Sequence, residues 1–431
     1  MAPAMGLAAD ASFAGPTVAG IPVEFVLFAV TLAGVALFHR HTMPIAVGGA
    51  TIIAAYKIAL SPFRTGVGFA GFFGHLGHEW VVLANLFLLL LGFGLLARYF
   101  EESRVPAILP DYLPDDWKGG FVLLVLVFVL SSFLDNIAAA MIGGAVAATV
   151  FRGRVHVGYL AGIVAASNAG GSGSVVGDTT TTMMWISGIS PLVVFEAYIG
   201  AVVALLIFGV IAARQQHAFQ PIQKDGDAGV RVDWWSVGVV AFILAAAIAV
   251  NVLVNLFFND IADGFPFIGV AVWAAIFIGG HVRRPDWRLV PASMKGTIFL
   301  LSLVLAASMM PVEELPAASW QTTLGLGFVS AVFDNIPLTA LAIKQGGYDW
   351  GFLAYAVGFG GSMLWFGSSA GVALSNMFSQ ARSAVQWLRH GWHVAIAYVI
   401  GYFVMLALIG FHPNAPHRDG VPVPPAQQQA K

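Results

Sequence analysis

The sequence contains no cysteine and very little charge. Without cysteine, disulfides, thiolate metal sites and a cysteine nucleophile are all excluded. Charged residues are 10% of the chain and apolar residues are 58%, and the formal net charge of −2 is too small to predict a nucleic-acid partner. The apolar residues form runs of roughly 17 to 25 residues, which is the length that crosses a bilayer as a helix. The sequence therefore predicts an all-α, polytopic membrane protein that is surrounded by lipid.

The apolar runs fall into two sets of six, on either side of the polar residues 214–233. The first set lies near residues 21–38, 43–60, 80–97, 119–150, 157–187 and 191–213. The second set lies near residues 234–257, 266–280, 296–312, 321–345, 350–379 and 393–411. The predicted organisation is an N-terminal tail at 1–20, a first repeat at 21–213, a cytoplasmic linker at 214–233, a second repeat at 234–411 and a disordered C-terminal tail at 412–431. Because the first tail has no basic segment, no cleaved signal peptide is expected.

The fourth run of each set contains an Asp-Asn pair. Residues 131–137 read SSFLDNI and residues 330–336 read SAVFDNI. A buried carboxylate is costly in a membrane, so its presence at both places indicates a function that needs both copies. Each arm around the pair is short for a full crossing, which predicts a re-entrant helical hairpin with the pair at its tip. One long tilted helix is the alternative, because hydropathy alone does not separate the two.

The fifth run of each set is polar and glycine-rich in its middle. Residues 167–182 read SNAGGSGSVVGDTTTT, and residues 358–371 read GFGGSMLWFGSSAG. The two align with the same spacing, which pairs Gly170, Gly171 and Gly177 with Gly360, Gly361 and Gly367, and Asp178 with Ser368. Glycine at this density weakens a helix, so each segment is predicted to be a discontinuous helix whose ends point their dipoles at a ligand. Close packing through small residues is the alternative, but it explains neither Asp178 nor the threonines at 179–182.

The distribution of basic residues predicts how the two sets are oriented. If each hairpin re-enters and every other run crosses, most of the 20 Lys and Arg residues fall in loops on one side. Cytoplasmic loops carry the excess of such residues. The halves are therefore predicted to be inverted, with the first hairpin entering from the cytoplasm, the second from outside, and both termini on the outer face.

Three motifs together resemble one known family. The run NAGGSGSVVGDTTTTMMW at 168–185, the two Asp-Asn pairs and HLGHEW at 75–80 are similar to NhaD-type sodium/proton antiporters of the ion transporter superfamily, over roughly residues 75–411. The resemblance implies a cell (inner) membrane location, a scaffold domain, a moving transport domain and a homodimer. Citrate and dicarboxylate relatives carry Ser-Asn-Thr at the hairpin tips, where this chain has Asp-Asn-Ile twice. Two carboxylates facing one cavity would repel citrate, so the departure favours a cation as cargo.

The chemistry of these side chains predicts a cation site. A small hard cation prefers several oxygen ligands, and we expect Na+ to be bound by the carboxylates of Asp135, Asp178 and Asp334. The other candidate ligands are Asn136, Asn168, Thr179, Thr180, Asn335, Ser362 and Ser368. Protons compete for the same carboxylate oxygens, so H+ and Na+ (or Li+) exclude each other, which produces exchange by alternating access. Na+ and H+ are then the cargo of a transporter, and neither a cofactor nor an enzymatic reaction is expected.

Two other classes of function stay open at this point. A carrier of the same superfamily for citrate, a dicarboxylate or arsenite would use this architecture, but it is expected to have serines and helix N-termini at the hairpin tips. An intramembrane aspartyl protease also needs two membrane aspartates. That function predicts neither inverted repeats nor two glycine-rich broken helices.

Overall fold

The computed structural model describes residues 16–38, 41–108, 112–223, 231–258, 261, 264–333 and 335–413. The predicted site residue Asp334 lies outside the described residues. So do most of the predicted N-terminal tail, much of the predicted linker and nearly all of the predicted C-terminal tail.

Helices dominate the described residues, and this confirms the predicted all-α class. They are numbered here in chain order, as α1 Val23–Leu37, α2 Thr42–Leu60, α3 Gly68–Glu102, α4 Val105–Ile108, α5 Trp117–Ser131, α6 Asn136–Val150, α7 Val157–Ser172, α8 Thr179–Ile186, α9 Pro191–Phe195, α10 Ala197–Phe219, α11 Trp234–Phe257, α12 Phe267–Gly279, α13 Leu289–Ser308, α14 Trp320–Ser330, α15 Asn335–Gln345, α16 Trp350–Gly360, α17 Ser369–Met377 and α18 Ala384–Ile409. A two-stranded antiparallel ribbon precedes them, with β1 at Thr17–Val18 and β2 at Ile21–Pro22.

Five long helices have the length and composition needed to cross a membrane. They are α2, α3, α9 with α10 as one continuous stretch, α13 and α18. Several shorter apolar helices accompany them, including α5, α6, α12 and α16. The chain is therefore a multi-pass membrane protein.

The fourth apolar run of each half consists of two helices. In the first half α5 ends at Ser131 and α6 begins at Asn136, and the two helices pack against each other. The chain leaves the helix here because Asp135 has a non-helical backbone and accepts a hydrogen bond from the Ile137 amide, which makes it the N-cap of α6. In the second half α14 ends at Ser330 and α15 begins at Asn335.

The fifth run of each half is also divided. Residues 173–178 separate α7 from α8, and residues 361–368 separate α16 from α17. In both cases the second helix begins with a polar N-cap, which is Asp178 for α8 and Ser368 for α17. The two breaks therefore place polar side chains and helix N-termini in the interior of an otherwise apolar molecule.

The helices pack around two apolar clusters. One cluster belongs to a first bundle of α1 to α3 with α11 to α13. The other belongs to a second bundle of α5 to α8, α10 and α14 to α18. The hairpin tips reach the first bundle, since Leu134 and Ile336 are buried in its cluster together with Met183 of α8. The divided segments thus lie where the two bundles meet.

Candidate functional site

Asp135 lies at the tip of the α5–α6 hairpin. Its Oδ1 accepts a hydrogen bond of 2.7 Å from the backbone amide of Ile137. A helix N-terminus carries a partial positive charge of about half a unit, so a full negative charge at this position leaves the local potential negative. The adjacent Asn136 is buried and is the first residue of α6.

Asn168 joins the two halves of the chain. Its Oδ1 accepts a 3.2 Å hydrogen bond from Asn136 Nδ2, and its own Nδ2 lies 3.0 Å from both Ser362 Oγ and Ser368 Oγ. An amide group has two N–H donors, so both serine contacts are satisfied at once. Asn168 and Ser362 have no exposed surface, and Ser368 is 1% exposed. We call Asn136, Asn168, Ser362 and Ser368 the Asn168 cluster. The structure thus brings together four residues that the sequence predicted separately.

Asp178 has the same relation to α8 that Asp135 has to α6. Its Oδ1 accepts a 3.1 Å hydrogen bond from the Thr180 amide, and the side chain is only 3% exposed. Its other oxygen faces α16, because a Cβ built on Gly358 would lie 3.6 Å from Asp178 Oδ2. A buried carboxylate therefore places a full negative charge at a second helix N-terminus.

Three further predicted site residues are buried close to these N-termini. Thr179 and Thr180 open α8, and Asn335 opens α15. Among the residues that the structure describes, Thr180 Oγ1 and Asn335 Nδ2 have no hydrogen-bond partner. Buried polar atoms are normally paired, so these two atoms are candidates to contact a polar ligand.

The predicted glycines lie where another part of the backbone approaches closely. A Cβ on Gly170 or Gly177 would lie 2.0 Å from a carbonyl oxygen of the first hairpin. A Cβ on Gly360 or Gly367 would lie 2.3 or 2.4 Å from a carbonyl oxygen of α14 or the turn after it. None of these glycines has a positive φ. They are needed because the hairpin backbone approaches the broken helix too closely for any side chain, so the packing explanation accounts for them.

Gly171 and Gly361 complete the predicted set. A Cβ on Gly171 would lie 2.9 Å from the carbonyl oxygen of Gly177, and one on Gly361 would lie 2.7 Å from that of Gly367. Each break therefore folds back onto the end of its own helix. Because the break folds back in this way, the N-terminus of the following helix, α8 or α17, lies beside the candidate site.

The sequence reasoning missed a group of hydroxyls beside Asp135. Tyr198 of α10 and Ser174 of the first break both contact Ser132 in the hairpin turn. Ser132 was visible as part of the SSFLDNI motif, but Tyr198 lies in an ordinary apolar run and has no pattern around it. Only the tertiary structure brings it to the hairpin.

A cavity of about 410 Å³ lies between the bundles and is lined partly by the motif at 75–80. Its polar lining residues are Arg64, Thr65, His75, His78, Glu79, Ser187, Ser308 and Lys344. His75 Nε2 lies 2.9 Å from Ser308 Oγ. The Lys344 ammonium donates to the carbonyls of Ser308 and Met310, at the C-terminal end of α13. These contacts connect α3 and α15 to the same helix end.

A second cavity, of about 300 Å³, is mainly apolar and reaches the hairpin tips. Ile137 of the first hairpin and Phe333 of the second line it, together with Ser369 of α17 and residues of α1 and α13. One of its lining residues, Ile137, donates its backbone amide to the Asp135 carboxylate.

Comparison with known proteins identifies similar chains of one kind. The chain is 28% identical to the Na(+)/H(+) antiporter NhaD of Vibrio parahaemolyticus over 344 residues, which are 68% of this chain and 80% of that protein. It is 29% identical to sodium/proton antiporter 1 of Arabidopsis thaliana over 302 residues, and there it spans only 50% of the relative's length. The NhaD antiporter of Halomonas elongata is 25% identical over 66% of each chain. No family model matches the chain. These similarities confirm the predicted resemblance to NhaD-type sodium/proton antiporters.

Proposed function

We propose that the chain is a secondary active membrane transporter that exchanges Na+, or Li+, for H+ by alternating access. The observation that carries this proposal is the pair of carboxylates, Asp135 and Asp178, that cap two interior helices where the halves of the chain meet. The similarity to proteins named Na+/H+ antiporters supports the same reaction.

The sign of the charge at the helix N-termini favours a cation over an anion. A bare N-terminus attracts an anion such as citrate. Asp135 and Asp178 each place a full negative charge on such a terminus, and Asp334 adds a third carboxylate in the aligned sequence. An oxyanion would be repelled by these groups, whereas a small hard cation is attracted.

The cation is proposed to be bound by the three carboxylates, with neutral oxygens completing its shell. The neutral candidates are Asn136, Asn168, Thr179, Thr180, Asn335, Ser362 and Ser368. Protons bind the same carboxylate oxygens, so a protonated site releases the cation and a bound cation excludes the proton. Two ions that exclude each other in one site are exchanged when that site opens alternately to the two faces of the membrane.

We further propose that the halves are inverted repeats, each with one re-entrant hairpin and one broken helix. Matching contacts support this arrangement. Ser131 Oγ donates to the Ser167 carbonyl at 2.5 Å, and at the aligned positions Ser330 Oγ donates to the Val357 carbonyl at 2.8 Å. The close approaches of the aligned glycines to the hairpin backbones match as well. In this proposal the first bundle is the scaffold, and the second bundle moves.

The proposed oligomeric state and membrane location follow from the resemblance to NhaD-type antiporters. The protein is proposed to function as a homodimer in the cell (inner) membrane, with both termini on the outer face and the linker in the cytoplasm. The excess of basic residues in the loops assigned to the cytoplasm supports this orientation.

A fluorescence assay in everted membrane vesicles tests the function. After a pH gradient has formed, added Na+ or Li+ is expected to dissipate it with the wild-type protein. The variants Asp135→Asn, Asp178→Asn and Asp334→Asn are each expected to abolish this response while inserting normally, because the change is nearly isosteric. Asp349→Asn is the matched control, since Asp349, like Asp178, is a buried N-cap but lies at the far end of α16. Full exchange in the three variants, or uptake of citrate or arsenite without Na+/H+ exchange, would contradict the proposal.

A further inference from the structure

The carbonyl and the hydroxyl of Ser132 both bond to parts of the molecule outside the hairpin, and the hydroxyl also lies 3.3 Å from the Phe128 carbonyl oxygen within it. Ser174 Oγ donates to the Ser132 carbonyl at 2.6 Å. The Tyr198 hydroxyl lies 2.7 Å from Ser132 Oγ and 3.0 Å from the carbonyl oxygen of Gly170. Ser132 Oγ is itself 3.2 Å from the Gly170 carbonyl oxygen. The hairpin turn is thus bonded to the last turn of α7 and to the break that follows it.

The phenol proton of Tyr198 allows two arrangements, and both fasten the turn. The phenol donates to Ser132 Oγ while Ser132 donates onward to Gly170, or it donates directly to Gly170 and accepts from Ser132. In the first arrangement Ser132 itself bonds to α7, and in the second the phenol does. Removing the phenol hydroxyl takes one hydrogen bond away from the turn in both arrangements. Within the described part of the chain, it leaves the Ser132 hydroxyl only the carbonyls of Gly170 at 3.2 Å and Phe128 at 3.3 Å.

The ring of Tyr198 occupies a space that the backbone leaves open for it. A Cβ on Gly173 would lie 2.5 Å from ring atoms of Tyr198, so any larger residue at 173 would displace the ring. The ring is flanked by Phe128, with centroids 5.8 Å apart, and by Phe195, at 5.1 Å. Its position is therefore set from three sides.

The second half of the chain has no polar counterpart of this contact. The alignment of the two halves pairs Ser132 with Ala331, and it pairs Gly173 and Ser174 with Met363 and Leu364. None of these three side chains offers a hydroxyl. Among the described residues this hydroxyl connection to a turn belongs to the first hairpin, whereas in the second half Tyr398 of α18 donates to the Leu324 carbonyl inside α14.

We propose that Tyr198 is a positioning residue that sets the separation of the Asp135 and Asp178 carboxylates. Ser132 precedes Asp135 by three residues in the hairpin turn, and Ser174 precedes Asp178 by four residues in the break. Holding Ser132 against the break therefore holds the two carboxylates at one spacing. Cation ligands must lie at a nearly fixed distance from the ion, so a turn that is free to shift binds the ion more weakly. This role deepens the proposed function and rests on it.

The test compares Tyr198→Phe with Tyr159→Phe in the vesicle exchange assay. Tyr198→Phe is expected to raise the half-saturating Na+ concentration about fivefold, the ratio that corresponds to one lost hydrogen bond, with little change in the maximal rate. Tyr159 is a matched control, because its hydroxyl donates to the Gly120 carbonyl at 2.7 Å and joins the same two helices, α7 and α5, at their other ends. Tyr159→Phe is expected to keep the wild-type half-saturating concentration.

A second variant protects the test against misfolding. Ser174→Ala removes the donor to the Ser132 carbonyl and leaves the tyrosine ring in place, so it is expected to shift half-saturation in the same direction. Thermal stabilisation of the purified protein by added Na+ gives a reading that does not depend on transport. An unchanged half-saturating concentration in both Tyr198→Phe and Ser174→Ala would overturn the role of Tyr198, as would equal effects of the two tyrosine variants. Absence of exchange and of Na+ stabilisation in the wild type would instead overturn the proposed function.

Discussion

Replacing Asn168 by alanine removes a buried side chain that bonds to both halves of the chain. Three contacts are lost, those to Asn136, Ser362 and Ser368. At about 1 kcal/mol for each buried hydrogen bond, the loss is about 3 kcal/mol. The two serine hydroxyls can rotate toward other acceptors, which reduces the cost, whereas the buried Asn136 amide keeps an unpaired donor, which increases it. We therefore expect the stability of the second bundle to fall by roughly 3 kcal/mol.

Thermal unfolding of the purified protein measures this loss, with Asn85→Ala as the matched control. Asn85 is also buried, and among the described residues its side chain makes one hydrogen bond, in which its Oδ1 accepts from the Gly269 amide of the first bundle at 3.0 Å. Its replacement should cost about a third as much, roughly 1 kcal/mol. Na+-dependent exchange should be lost in Asn168→Ala and retained in Asn85→Ala.

Asn168→Asp separates the structural role from the ionic one. A carboxylate can still accept from Asn136 Nδ2 and from both serine hydroxyls, so the Asn168 cluster keeps its connections while gaining a negative charge. We expect lower stability without Na+, because an additional buried carboxylate is costly in a membrane, recovery of stability when Na+ is added, and a lower half-saturating Na+ concentration. If Asn168→Ala is no less stable than Asn85→Ala, or if it exchanges Na+ at the wild-type rate, the reasoning about the Asn168 cluster is refuted.

Two further predictions concern packing and surface charge. Gly170→Ala should prevent normal folding, because the new Cβ would lie 2.0 Å from the Phe128 carbonyl oxygen. Gly238→Ala should be tolerated, because nothing lies within 4 Å of its Cβ. Gel filtration compares the yields of monodisperse protein, and equal yields would contradict the packing argument. At the surface, the Arg283 guanidinium holds the pKa of Asp233 well below its usual range. The contribution of this pair to stability is then present above the usual carboxylate pKa of about 4 and disappears only as the pH falls through the lowered value. Asp233→Asn should lower Tm at neutral pH and have little effect in strong acid, and a constant difference across that range would count against the ion pair.

Helix positions could be predicted from hydropathy where apolar residues fill the helix, and were missed where polar residues extend it. The run predicted near 80–97 is part of α3, which begins at Gly68. Its first turns carry His75, His78 and Glu79, which lower the hydropathy but line a cavity between the bundles. The last helix likewise begins at Ala384 and not near 393, because its first turns are polar. A hydropathy window does not distinguish a polar helical turn from a loop.

The residues of the candidate site were easier to predict from the sequence than the hydrogen bonds between them. Asp178, Asn168 and Ser368 are conspicuous because they are polar residues within apolar runs. Their hydrogen bonds depend on which segments meet in space, so neither the central position of Asn168 nor the contact of Tyr198 with Ser132 could be deduced from spacing. The glycines could be recognised by their density in the fifth run of each set. The reason that a side chain is excluded there is a carbonyl of another segment, such as that of Phe128, which spacing does not reveal.

The hydrogen bonds of Asn168 have a mechanical consequence for any transport cycle. They cross from the first half of the chain to the second, so neither half of the pocket can be displaced without its counterpart. An ion arriving from either compartment would therefore meet the same set of oxygens. Differences between inward and outward affinity would then arise outside the pocket, for which the apolar cavity at the hairpin tips and the charged one around Lys344 are the candidate approach routes.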